Sequence, residues 1–463
     1  MSGDVTTSSA VVWCRSDRDA RLVVEWSLAE SFADTKRIEG PAVAAAGGSI
    51  GKVLLEGLPA RTRIHYRARF DGDGPASEWI AGSFSTAPTE ASDVLIAWSG
   101  DTNGQGWGID PKRGGMPAYS ALSARNPDLF IHCGDRIYAD DPIKPVIELD
   151  GGGQWQSIIT PEKTRVAQTL DDFRGAYAYA HLSPEVRAAS AKIPLFSIWD
   201  DHEVHNNWFP GQTLDDERYR EKRTSELMIP ARRAMWDYTP TLRPADGPMY
   251  RVVHWGPLVD IFFVDGRSER SPNTNPPAAG GMLGTKQADW LIAELSVSRA
   301  TWKIIAMNSP LGLPIAELGR DGRLELDGYA NENGPPKERE VELARILSTL
   351  KTRGVKNVVF VTADVHYAAV HRFDPGKAQF KDFDPFYELI AGPMHATAFP
   401  LKAFDDTFGP ELVWTNAEDK WGTPAEPRQS FGLLRIDKKT RALGITFVDG
   451  FGHDLHSLTI DAV

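Results

Sequence analysis

Apolar runs recur along the whole chain, and their texture changes near residue 90. Before that point the runs are short and alternate with polar positions, as in Ala10-Val-Val-Trp-Cys14, Arg21-Leu-Val-Val-Glu-Trp26, Lys52-Val-Leu-Leu55 and Arg63-Ile-His-Tyr-Arg-Ala-Arg-Phe70. Gly, Pro, Asp and Ser turns separate them, and that spacing predicts a small β-sandwich of fibronectin-III-like type. The stretch from Thr86 to Asp93 has linker composition, so the expected domains are 1–90 and 91–463.

From Val94 onward, apolar runs alternate with long polar or helical spans, the pattern of α/β layering. The runs are Val94-Leu-Ile-Ala-Trp-Ser99, Leu129-Phe-Ile-His-Cys133, Ile193-Pro-Leu-Phe-Ser-Ile-Trp199, Leu258-Val-Asp-Ile-Phe-Phe-Val264, Trp302-Lys-Ile-Ile-Ala-Met307 and Val355-Lys-Asn-Val-Val-Phe-Val-Thr362. Each closes on polar chemistry: Gly100-Asp101, Gly134-Asp135, Asp200-Asp-His-Glu203, Asp265-Gly-Arg267, Asn308-Ser309 and Ala363-Asp-Val-His366. A strand that ends for structural reasons alone more often ends in a plain turn, so these endings point to one shared site at the strand tips. A helix is expected over Pro335 to Arg353, with an apolar stripe through Val341, Leu343, Ile346, Leu347 and Leu350 and Gly354 as the stop. Ser271 to Gly284 and Leu311 to Pro336 read as long loops beside the site. The tail from Ser430 to Val463 alternates again and reads as a closing β-hairpin.

Composition narrows the function classes. The 463 residues suffice for about two or three domains with a large core. A net charge of -12 argues against general binding to nucleic acid or anionic membranes, since both need a basic footprint. No run approaches the length of a membrane span, and the first residues lack the build of a signal peptide. The expected location is periplasmic or secreted, with a leader absent from this chain and a cytosolic location left open. Cys14 and Cys133 are read as core thiols.

Strand-tip carboxylates placed close together repel, which raises one pKa or calls for a cation between them. A two-metal hydrolase needs a bridging acid, terminal oxygen and nitrogen ligands, and a donor for the leaving group. Asp135 is the expected bridge, between Asp101 on one metal and Asp201 on the other. Asp364 and His366, two apart, would share one face of an extended segment and so reach the same cluster. His202 is the expected proton donor, and Arg267 has the planar fork that holds phosphate. Tyr138 would bring a hard phenolate suited to a trivalent ion. Asp200 is read as a supporting carboxylate, and His132, His254 and His371 as packing or surface residues.

The motifs Gly134-Asp-Arg-Ile-Tyr138, Trp199-Asp-Asp-His-Glu203, Asp265-Gly-Arg267, Gly284-Thr-Lys-Gln-Ala-Asp-Trp290 and Thr362-Ala-Asp-Val-His366 resemble, in this order, the PhoD-like branch of the metallophosphatases. The resemblance implies a four-layer αββα core, preceded by a small β domain, and hydrolysis of phosphate mono- or diesters at a binuclear centre. It implies Asp101 and His366 on the first metal, Asp135 between the metals, and Asp201 and Asp364 on the second. The Gly-Asp-x-x-Tyr spacing is similar to purple acid phosphatases and implies Tyr138 as a ligand to ferric iron. The implied pair is Fe3+ with Ca2+, with Zn2+ or Mn2+ as alternatives. The superfamily's usual opening Asp-x-His is replaced here by Asp101-Thr-Asn103, and Asn308, Asn206 or Asn207 stand in for its middle histidine. The competing reading is a binding or sensor protein with a non-catalytic metal site on the same fold.

Overall fold

The computed structural model describes the chain apart from residues 275–277, 319–323 and 332. The six predicted strands form, as Val94–Ser99, Leu129–His132, Leu195–Ser197, Val259–Phe263, Trp302–Ala306 and Val358–Thr362. They divide three and three between two sheets. The first sheet runs Leu195–Ser197, Leu129–His132, Val94–Ser99, Ser430–Ile436, Leu443–Asp449, Asp454–Ile460, with its first three strands parallel. The tail hairpin joins it antiparallel, with Leu434 opposite Ile96. The second sheet has seven strands, of which Val259–Phe263, Trp302–Ala306, Val358–Thr362 and Phe386–Ile390 are parallel neighbours.

Near-continuous apolar runs are what parallel strands covered on both faces require. In Val259–Phe263, Ile261 and Phe263 share one apolar cluster with Ile96, Trp98, Leu129 and Ile131 of the other sheet. The alternate residue, Phe262, joins Leu291 and Leu295 of the Gly284–Val297 helix and Leu343, Leu347 and Leu350 of the Arg339–Thr352 helix. On the first sheet Ala97 and Phe130 pack with the helices Pro117–Arg125 and Pro184–Lys192. The two-residue period of a strand thus sends one set of side chains toward the other sheet and the next set toward helices. The whole is a mixed α/β fold.

The predicted late helix forms over Arg339–Thr352, after Pro335 and Pro336, and Gly354 follows at φ 66°. Its stripe differs from the expectation at one end: Val341 is 54% exposed, whereas Leu343, Ile346, Leu347 and Leu350 are buried. At 100° per residue Val341 falls outside the arc that holds the others. The first 85 residues form a three-stranded and a four-stranded sheet. Val12 and Leu55 of one, and Leu22, Val24 and Ile64 of the other, belong to the same apolar cluster. This part is fastened to the rest by specific bonds: Trp13 Nε1 donates to the Asp237 carbonyl at 2.7 Å, and Lys52 Nζ donates to those of Trp236 and Thr241 at 2.5 and 3.1 Å. Cys14 and Cys133 are free thiols, half-buried and buried.

Candidate metal centre

Parallel strands deliver their C-terminal ends to one edge, and the chain must turn there at once. It does so through left-handed residues: Asp101 (φ 65°), Asn103 (φ 67°), Asp135 (φ 55°), Asp364 (φ 70°) and His366 (φ 58°). Non-glycine residues rarely take this conformation, and such strain gathers at functional sites. Gly134 precedes Asp135 because no side chain fits there: at φ 111°, an added Cβ would lie 2.5 Å from Asp200 Cβ.

Three overlapping groups of ligand atoms result, each within 4.8 Å: Asp101, Asp135 and His366; Asp135, Asp201 and His202; Asp200, Asp201 and Asp364. Asp135 is the member that joins the first two groups. Asp364 and His366 enter different groups, so strand alternation is not how they reach the site. The strand ends at Thr362, and the two left-handed residues aim the side chains at neighbouring clusters. Tyr138 completes the His366 side, its hydroxyl 2.8 Å from His366 Nε2, which lies 3.3 Å from Asp101 Oδ1.

The donor set fits a pair of cations. Both carboxylate oxygens of Asp101, Oδ1 of Asp201, Oδ2 of Asp364 and the amide oxygens of Asn103 and Asn308 are buried without a hydrogen-bond donor. Orphaned anionic oxygens are costly in a protein interior unless a positive charge meets them. Burial, then the carboxylates of Asp201 and Asp200, push Asp135 well above the ordinary carboxylate range. Burial and the same two carboxylates do so for Asp364. Burial, Asp135 and Asp101 push the Tyr138 phenol up as well. A bound cation reverses all three effects.

Supporting residues fix this array. His202 Nδ1 lies 2.8 Å from Asp140 Oδ1, its ring stacks on Tyr138 at 4.1 Å, and its backbone N–H donates to Asp135 Oδ1 at 3.2 Å. Burial alone would lower the His202 pKa, but Asp140 and Asp201 carry it to about 10. Arg267 is engaged by carboxylates, its Nη2 also 3.6 Å from Asp201 Oδ1. Its side chain is fully buried, with Nε donating to Asp200 at 2.7 Å and both terminal nitrogens to Asp327 at 2.9 and 2.7 Å. Asp200 also accepts from Asn308 Nδ2 at 2.6 Å, and burial pushes its carboxyl up to about 7 against the pull of Arg267.

Two participants escaped sequence reasoning. Glu203 accepts backbone N–H bonds from Asp135, Arg136 and Asp200 at 3.0, 2.7 and 2.7 Å. Asp327 follows the short strand Leu324–Leu326, inside a span read only as loop. Its Leu-Asp-Gly signature repeated the apolar-then-acidic ending of the other strands in a weaker form. Parts of both expected long loops lie outside the described residues.

Residues 96–447 match the PhoD-like phosphatases, and residues 1–88 match the N-terminal domain of PhoD-like phosphatases. The chain belongs to the PhoD-like phosphatase family. Alkaline phosphatase D of Bacillus subtilis (strain 168) is 24% identical over 393 residues, a match covering 79% of this chain and spanning 63% of that relative's length. A solved structure of PhoD superposes with a TM-score of 0.68 at 18% identity, covering 99% of this chain and 92% of the other. The purple acid phosphatase from yellow lupin (Lupinus luteus) seeds superposes with a TM-score of 0.59 at 14% identity, covering 98% and 72%. At these identities the likeness to the two structures is one of fold. Among the described residues, no helix is long and apolar enough to cross a membrane.

Proposed function

We propose that the chain is a metal-dependent phosphoesterase acting on phosphate mono- or diesters at a binuclear centre. Asp101, Asp135, Tyr138 and His366 would hold one cation, Asp201 and Asp364 the other, with Asp135 shared. The observation that carries this reading is the convergence, with the side chains of Tyr138 and His366, of buried oxygens of Asp101, Asp201 and Asp364 that accept no hydrogen bond. Bound cations would supply Lewis acidity toward phosphoryl oxygens and a water acidic enough to act as nucleophile near neutral pH.

The chain's own residues supply the rest. Asp140 occupies His202 Nδ1, which leaves Nε2 to carry a proton to the departing alkoxide. The stack on Tyr138 keeps that ring beside the centre. Arg267 acts at one remove, holding Asp200 and Asp327 in place. The two donor sets differ, with phenol and imidazole on one side and carboxylates alone on the other. Ferric iron beside Tyr138, with an oxygen-seeking ion such as Ca2+ opposite, matches that asymmetry. The packing described above supports a helix–sheet–sheet–helix core and a small N-terminal sandwich, divided near residue 90.

The test is metal analysis of protein purified without added metal, with a visible spectrum and assays on p-nitrophenyl phosphate and its bis ester. A tyrosinate-to-iron band that disappears in Tyr138→Phe is expected; a colourless centre with activity would move the assignment to Zn2+ or Mn2+. Asp135→Asn should lose metal and activity together. His202→Ala should keep both metals and lose about 10²-fold or more in turnover. Loss of metal in His202→Ala would make it a ligand instead.

A further inference from the structure

Of the fourteen tryptophans in the chain, Trp421 is the one whose side chain stands exposed. It is 64% accessible, whereas Trp98, Trp155, Trp199, Trp208, Trp255 and Trp302 are fully buried. A lone exposed apolar side chain is ordinary on a protein surface. Its position here is not. Trp421 meets Phe399 edge-to-face with ring centroids 4.8 Å apart and planes at 68°. Phe399 in turn lies flat on His366, centroids 4.1 Å apart and planes at 15°. A ladder of rings therefore runs from the proposed metal ligand His366 to solvent.

The outer rung is held by backbone and not by burial. Residues on either side of the aromatic pair form a bridge, with Ala398 N–H donating to the Gly422 carbonyl at 3.0 Å and Gly422 N–H to that of Ala398 at 2.8 Å. The nearly buried Arg428 donates to the Lys420 carbonyl at 3.0 Å, which ties down the residue before the tryptophan. The inner end is anchored too. His366 Nδ1 lies 2.6 Å from the Thr397 carbonyl, and Thr397 Oγ1 accepts from Trp107 Nε1 at 2.8 Å. An indole fixed in place yet left in water gains little stability for the fold, because most of its apolar surface is never removed from solvent. What a rigid, exposed aromatic face beside a reaction centre does offer is a surface on which a flat group can stack.

We infer that Trp421, backed by Phe399, is the platform for a planar aromatic arm of the ester, so that the site selects aryl or nucleobase-bearing phosphate esters over aliphatic ones. The inference rests on the phosphoesterase reading and names its substrate class. Stacking of a base on an aromatic side chain is worth about five-fold in affinity at the modest end of its range.

The probes are phenylphosphonate and methylphosphonate, which share the anionic head and differ in the planar arm. Their binding to the metal-loaded protein is measured by titration calorimetry and by quenching of tryptophan fluorescence. The expected result is a preference of about five-fold for phenylphosphonate, abolished in Trp421→Ala and largely kept in Trp421→Phe. The KM ratio of aryl to alkyl phosphodiesters should move in parallel. Equal affinity for the two phosphonates, or a preference that survives in Trp421→Ala, overturns the platform. A preference that depends on Trp421 in a protein that turns over no phosphate ester overturns the catalytic reading and leaves the platform standing as a ligand site.

Discussion

Glu203 holds the site together without being one of its ligands. Its two oxygens receive N–H bonds from Asp135, Arg136 and Asp200, and the side chain is fully buried. The loops after two neighbouring strands are thereby pinned to one carboxylate. Each buried donor left without an acceptor costs on the order of 1–3 kcal/mol, so Glu203→Ala should lose roughly 3 kcal/mol or more of stability and much of its metal. Urea unfolding with metal analysis checks this; unchanged stability with activity lost would show that the anchor is not structural. Asp200 is a local partner, three residues away, but Arg136 and Asp135 sit 67 and 68 residues earlier in the chain, so no local pattern around Asp200-Asp-His-Glu203 announces them. The ligands were easier to read, because an apolar run ending in Gly-Asp is itself local. Even there the left-handed turns at Asp364 and His366 were invisible, since residue type alone does not reveal φ.

At the scale of elements, Arg267 is a tie between sheets. It follows the Val259–Phe263 strand of the seven-stranded sheet, and Asp200 follows Leu195–Ser197 of the six-stranded one. Asp327 supplies the third point from the strand Leu324–Leu326. Breaking a buried ion pair by removing one partner strands the other charge, at a cost of about 3–5 kcal/mol. Arg267→Met should therefore lower stability by that order in thermal or urea unfolding, and Asp327→Asn should lower it less. Unchanged stability with a raised KM would instead put the guanidinium on the substrate, as the strand-tip position first suggested. Six strands were legible from apolar runs; Arg251–His254, Ala369–Phe373, Phe386–Ile390 and Pro410–Thr415 of the seven-stranded sheet were not, and the tail read as a hairpin adds a third strand, Asp454–Ile460. The late helix was legible at its end but not at its start, which comes at Arg339 and not at Pro335, nor in face at Val341, because which arc is buried depends on the neighbour it meets.

At the scale of the molecule, two buried histidines each make the fold sensitive to acid. His132 and His395 are buried, with Nε2 3.1 Å from Thr102 Oγ1 and 3.1 Å from the Gly108 carbonyl respectively. Burial lowers both, His395 to about 4. The unfolded chain takes up these protons near pH 6.5 and the folded chain resists them, so their stability is present above 6.5 and is lost as pH falls toward 4. Each contributes a slope of about 1.4 kcal/mol per pH unit within that window. His395→Gln should flatten the fall in unfolding free energy between pH 6.5 and 5, and an unchanged slope would refute the assignment. By itself the sequence determined the six strands that carry the site and that acids and a histidine stand at their ends, because side-chain period and glycine spacing act over neighbouring residues. Only the tertiary structure decided that the six strands split between two sheets, that Asp364 and His366 serve different clusters, that Arg267 faces carboxylates and that Trp421 stands in water with Phe399 between it and His366. Those outcomes depend on contacts between residues far apart in the chain, chosen by strand register and by how the two sheets meet.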